Sequence, residues 1–334
     1  MRQIKANMLY RPEIATGHVD PPAKTATKGL PAGDSTVYPC VMFRRSLILT
    51  LSLVLTPLFC PALVNSGNPG GNRTAPTGQD GQPTDPGFAN MLVIRGGAGV
   101  YLGNGWVLTA RHITPGMIIL NGEKRMREEI IGKMYKFKNA ELMLIRLKET
   151  PDLPTVKIAS STPAVGTEVV MIGAGRRSQD HLTFWQVSQA SNPWTWTEVT
   201  DPQQANMAGV VTDPGGLMSW GTNRISAVNP ASAMGELLVT DFSANPAERT
   251  AFEAQAVSQD SGGALFAQDE KGEWVLTGIM ATVGRLYPGQ PGVGKPEGSS
   301  SFIIGSGVFG NLTLSVNLAP YREEILRVTG LSGE

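Results

Sequence analysis

The sequence predicts an all-β protein, a barrel or sandwich closed by one carboxy-terminal helix. Three observations lead there. The chain holds 39 Gly and 24 Pro, its Val, Ile and Leu residues fall in short runs bounded by turn residues, and only one late segment has helical periodicity. With 28 Lys+Arg against 28 Asp+Glu, the chain also lacks the basic excess through which proteins bind nucleic acid by bulk charge. Charged residues make up only 17% and apolar residues 41%, which suits a globular chain and not a disordered polyampholyte.

Five segments follow in order. Residues 1–41 are polar and Pro-rich and stand where an export signal does not tolerate them, so translation is expected to start at Met42. Met42-Phe43-Arg44-Arg45 then precedes an uncharged run from Ser46 to Val64, broken by Pro57 and Pro61. A basic start, an apolar core and small residues near its end read as a secretory signal peptide over 42–66. Two prolines and the short core argue against a membrane span, which needs about 20 apolar residues. Residues 67–90 are rich in Gly, Pro, Asn and Thr and read as a disordered linker. Cys40 and Cys60 are the only cysteines, so no disulfide scaffold or cysteine-ligated metal is expected in the folded part. The localisation this implies is secreted or periplasmic.

From Met91 the pattern changes to strands. Gly99 to Leu102 and Trp106 to Thr109 flank Gly103-Asn104-Gly105, an Asn-Gly hairpin signal. Met117 to Leu120 before Asn121-Gly122 repeats the device, and Leu142 to Leu147 is a further strand. A second set follows at Val169 to Gly173, Glu236 to Thr240, Ala264 to Phe266 and Trp274 to Met280. Pro320 to Val328 places Tyr321, Ile325 and Val328 on one helical face. Trp194 and Trp196 alternate as strand residues do and are expected to pack one barrel face, and His181 sits in a polar loop.

The chemistry lies in three segments. Thr109-Ala110-Arg111-His112 follows a strand, Asn139-Ala140-Glu141 precedes one, and Gln259-Asp260-Ser261-Gly262-Gly263 sets a serine on a glycine turn. A serine hydroxyl is a poor nucleophile until a base takes its proton, and histidine suits that task near neutrality. A carboxylate can hold the imidazole in the right tautomer. Glycines after the serine let backbone N–H groups turn toward a developing oxyanion.

Together these segments resemble the trypsin/chymotrypsin-like serine peptidases, in the order histidine, acid, serine, over about Met91 to Val328. Trp106 to His112 is similar to the family's histidine segment, Asp260 to Gly263 to its nucleophile segment, and Trp274 to Ile279 to the strand after it. The resemblance implies two antiparallel six-stranded β-barrels with a C-terminal α-helix, the first over 91–160 and the second, with the helix, over 161–334. It implies catalytic His112, Glu141 and Ser261, an oxyanion hole from the amides of Gln259 and Ser261, and a specificity pocket at Gln255, Ala281 and Val283. No cofactor or metal is implied. The expected partner is a protein or peptide substrate of a monomer, with no nucleic acid and no stable membrane insertion once the signal is removed.

Four departures from the family pattern mark this chain. The acid is Glu141 where the family has Asp, adding roughly 1.3–1.5 Å of reach; a different acid in that role stays an alternative. Gln259 replaces a glycine of the oxyanion hole, so the hole is expected to be weaker or to need substrate. No Ile-Val-Gly-Gly-like terminus precedes the first strand beyond the loose echo Ile94-Arg95-Gly96-Gly97, so Asp260, whose counterpart pairs with a freed amine, needs another partner. Ala281-Thr282-Val283 replaces Ser-Trp-Gly beside the substrate. Neutral Gln255 gives Lys or Arg no charge partner, and Val283 narrows the entrance, which together favour small or medium apolar side chains. A catalytically weak relative that binds protein through the same cleft is the alternative reading.

Overall fold

A computed structural model describes residues 63–66, 72–120, 122–125, 131–216 and 218–333. The expected start at Met42, both cysteines and the signal segment up to position 62 lie outside the described residues. Strands dominate, and the pairing within each sheet is antiparallel. The second half holds a closed six-stranded barrel in the order Ser219–Ser232, Gly235–Asp241, Leu312–Asn317, Trp274–Gly284, Ala264–Gln268, Glu168–Gly173. The first half is one sheet in the order Glu123–Arg125, Ile118–Leu120, Met91–Ile94, Gly97–Gly103, Trp106–Ala110, Leu142–Leu147, Ile131–Lys136. Among the described residues it is a seven-strand open path, where the resemblance implies six closed strands.

The turn chemistry explains the hairpins. Asn104 and Gly105 both have positive φ, at 50° and 73°, the two consecutive left-handed residues that a tight two-residue hairpin requires. The strands read as near-continuous apolar runs because both of their faces are covered. In Glu168–Gly173, Val170 and Ile172 join one cluster while Val169 and Met171 join another. The first of these clusters also takes Val100, Leu108 and Leu144 from the N-terminal sheet and Phe266 and Leu276 from the barrel. It is the seam between the halves. Leu92, Val107, Met143 and Ile145 fill the interior of the first sheet, and Val169, Met171, Leu238 and Leu265 that of the barrel. The expected terminal helix is a 3-10 turn, Ala319–Tyr321, running into an α-helix, Arg322–Thr329. Buried Ile325 docks it on the seam, beside Tyr321 and Val328.

Three expectations are corrected here. Residues 72–90 are ordered, not a disordered linker. Composition gives them no core of their own, but they supply acceptors to two indoles on the barrel: Trp220 Nε1 donates to Thr74 O at 2.9 Å and Trp274 Nε1 to Thr84 Oγ1 at 2.7 Å. Leu63–Ser66, placed at the end of the leader by sequence, belong to the fold. Val64 and Asn65 pair with Gln255 and Ala254, and Leu63 is buried among the barrel's apolar residues while Val64 is buried beside Val210, Phe242 and Val257. Finally, Trp194 and Trp196 do not pack a barrel face. They belong with Trp185 and Tyr287 to a separate cluster on a five-stranded sheet outside the barrel, built on Met207–Gly216.

Candidate active site

Register places the histidine and the acid together. Trp106–Ala110 pairs with Leu142–Leu147 so that Ala110 faces Leu142, and the next rung brings Arg111 opposite Glu141, with Arg111 N–H donating to Glu141 O at 3.2 Å. His112 therefore leaves the strand end beside Glu141. One carboxylate oxygen, Oε1, takes two bonds from this histidine: its main-chain N–H at 2.7 Å and its ring Nδ1 at 2.9 Å. A carboxylate accepts only, so this contact fixes the Nδ1–H tautomer and leaves Nε2 free as a base. The second oxygen lies 3.5 Å from Arg111 Nε. The extra methylene of Glu141 is absorbed without loss of the contact. Its main-chain N–H also donates to Met234 O at 2.9 Å, which ties the acid to a hairpin of the other half.

Ser261 comes from the barrel side, on a turn held by its neighbours. Asp260 N–H donates to Val257 O and Gly263 N–H to Asp260 O, while Ser261 O accepts from Ala98 N–H at 2.8 Å across the seam. Only glycine fits at 262. Its φ is +85°, and a Cβ there would stand 2.0 Å from Ala98 O and 2.4 Å from Thr109 Oγ1, because the loop presses on the first sheet. Gln259 has φ +78°, the left-handed region that costs a residue with a Cβ about 1–2 kcal/mol. Residue 259 thus stands in the left-handed region despite its Cβ. Neither Gln259 N–H nor Ser261 N–H donates to another protein group among the described residues, leaving both amides free.

Asp260, next to the serine, is fully buried. Its carboxylate accepts from Gly175 N–H and Val257 N–H, each at 2.8 Å, and from Leu63 N–H. Burial pushes its pKa up to about 7, and the three amide bonds offset only part of that. Among the described residues no Lys or Arg nitrogen lies within ion-pair distance of it. The partner missing from the sequence pattern near Ile94 is thus found at Leu63, while Ile94 to Gly97 forms the hairpin between the first two strands.

His112, Glu141, Gln259 and Ser261 all line one cleft of about 760 Å³. Among the described residues no hydrogen bond joins Ser261 Oγ to His112 Nε2; such catalytic bonds are often long without substrate and tighten in the complex. Ala281 and Val283 line the same cleft, with Met280, Phe302, Ile303 and Ile304, the last three from a segment that sequence reading passed over. Gln255 does not reach the lining. It is buried beneath, with Nε2 donating to Ala256 O at 3.2 Å and, among the described residues, Oε1 without a partner. His181 is exposed and pairs with Asp180.

A model of the trypsin-like peptidase domain matches residues 97–279, more than half of the chain and a span that includes His112, Glu141 and Ser261. No curated protein matches the sequence. Among solved structures, neuropsin, a serine protease expressed in the limbic system of mouse brain, aligns at 16% identity over 77% of this chain and 98% of its own, with a TM-score of 0.43. The chain belongs to the family of the trypsin-like peptidase domain.

Proposed function

We propose that this protein is an exported serine endopeptidase working through an acyl-enzyme. The observation that carries the reading is the His112 Nδ1 contact to Glu141 in a cleft that Ser261 also lines. Ser261 Oγ attacks the carbonyl carbon of the scissile bond while His112 Nε2 takes its proton. Glu141 holds the ring and balances the imidazolium. The oxyanion of the tetrahedral intermediate accepts from the N–H groups of Gln259 and Ser261. The imidazolium then protonates the leaving nitrogen, the C–N bond breaks, and water activated by His112 releases the acyl group from Ser261 by the same steps in reverse roles. Apolar walls at Ala281, Val283, Phe302 and Ile303 support a preference for small or medium apolar side chains before the cut. A peptide-library profile clustered after Lys or Arg would refute that preference.

Covalent labelling by a fluorophosphonate tests the reaction class. The reagent is expected to add to Ser261, seen as a mass shift on the peptide that holds it, and the adduct should vanish in both Ser261→Ala and His112→Ala. A wild-type protein that takes no label at any pH would instead be a binding relative that uses the cleft without chemistry.

Export enters through Leu63. A signal peptide over 42–62, shorter than the 42–66 read from sequence, would end in Cys60-Pro61-Ala62, with small residues at the positions a signal peptidase reads. Cleavage there turns the buried Leu63 N–H into an ammonium group against Asp260, and a cation at that point holds the carboxylate ionised. Protein beginning at Leu63 is therefore expected to take the fluorophosphonate at least about tenfold faster than protein that keeps residues 42–62. Equal rates for the two forms would remove Leu63 from the account.

A further inference from the structure

The residue before the catalytic histidine does a task the family resemblance does not supply. Arg111 is anchored at three points. Its main-chain N–H donates to Glu141 O at 3.2 Å, its Nη1 to Phe137 O at 3.2 Å, and its Nε stands 3.5 Å from Glu141 Oε2. Phe137 is a firm support. It is buried, its own N–H donates to Leu142 O, and its ring packs edge-on against Tyr135 and Tyr321 at 5.3 and 6.0 Å. The guanidinium therefore bridges the turn from Phe137 to Glu141, a fixed carbonyl at one end and the acid at the other.

The need for such a bridge follows from the acid itself. Glutamate has one more side-chain torsion than aspartate, and its carboxyl can rotate about it. Oε1 is held by His112, but among the described residues Oε2 has no other hydrogen bond or ion pair to position it. Ala281, which lines the same cleft, has no polar side-chain atom to offer. We propose that Arg111 is a positioning residue: by holding Oε2 it fixes the Glu141 carboxyl in the plane that keeps Oε1 on His112 Nδ1. The guanidinium is more than a third exposed, so the pair adds little to folding stability. Its effect lies in geometry, where small displacements of a catalytic group are costly.

This inference rests on the peptidase reading, and its test separates the two. In active enzyme, Arg111→Met is expected to lower kcat about tenfold with KM within about twofold, while Arg111→Lys, which keeps a cation in reach of Oε2, stays within about threefold of wild type. The second measurement needs no activity. In Ser261→Ala protein, the Nδ1–H proton of His112 should give a sharp downfield NMR signal, broadened by exchange in Arg111→Met and sharp again in Arg111→Lys, all at unchanged Tm. Wild-type kcat and an unbroadened signal in Arg111→Met would overturn the proposal. So would losses of equal size in the Met and Lys variants that follow a lower Tm, since those report folding of the turn. Should wild-type protein show no turnover at all, the peptidase reading fails on its own, and the proton signal still decides whether Arg111 positions the acid.

Discussion

Ser261→Ala and His112→Ala are each expected to lower turnover by about 10⁶-fold, and the double substitution by no more than either alone. In the proposed mechanism the pair acts as one nucleophile. Without the imidazole, Ser261 Oγ must lose its proton to water while it attacks; without the hydroxyl, the imidazole has no proton to take. Either loss removes the whole covalent route, so the two losses cannot add. What remains is the contribution of the amides of Gln259 and Ser261 and of substrate binding, about 10³–10⁴ over water. These two N–H groups belong to the main chain, and they stay in place because the turn is held by Asp260 and by the Ala98–Ser261 bond, not by the serine side chain. The measurement is a steady-state cycle of wild type, two singles and the double on one peptide substrate. Losses that multiply in the double variant would show that the two residues serve separate steps, and the shared-nucleophile account would fall.

The parts of this molecule that were legible in its sequence are those set by nearest neighbours. Asn104-Gly105 fixed a hairpin because two left-handed residues have few other uses. The apolar run Leu142–Leu147 marked a strand because both its faces are covered, whereas the pairing of His112 with Glu141 was implied only by the family resemblance. What stayed hidden depends on distant partners. Residues 72–90 have the composition of a linker and gain order from distant partners, among them the indoles of Trp220 and Trp274 and the carbonyls of Tyr101 and Pro154 that accept from Asn90. The strand Ser219–Ser232 passes through Asn229-Pro230, a pair that in isolation argues for a turn. Leu63 looked like the tail of a leader, because nothing local announces a carboxylate 197 positions later. Arg111 stands in the sequence only as the neighbour of His112. Its contact with Glu141 Oε2 arises from the ladder register, which places position 111 opposite position 141.

Glu141→Gln is expected to lower turnover by about 10⁴-fold, the loss that follows when the imidazole is held in the wrong tautomer. The contacts around the carboxyl explain why a neutral isostere fails. Oε1 accepts from His112 N–H and Nδ1–H, and Oε2 lies against Arg111 Nε, so donors face both oxygens. A glutamine must turn its NH2 toward one of them. Set toward Arg111, it places donor against donor beside a cation; set toward His112, it makes Nδ1 the acceptor. The second arrangement lets Nδ1 accept by moving one proton across the ring, but it also sets the NH2 against the main-chain N–H of His112, so neither placement satisfies every donor. Where the NH2 donates to Nδ1, Nε2 carries the hydrogen that prevents it from accepting one from Ser261. Loss of the negative charge removes the balance for the imidazolium as well. Turnover of Glu141→Gln within tenfold of wild type would assign the role to another acid.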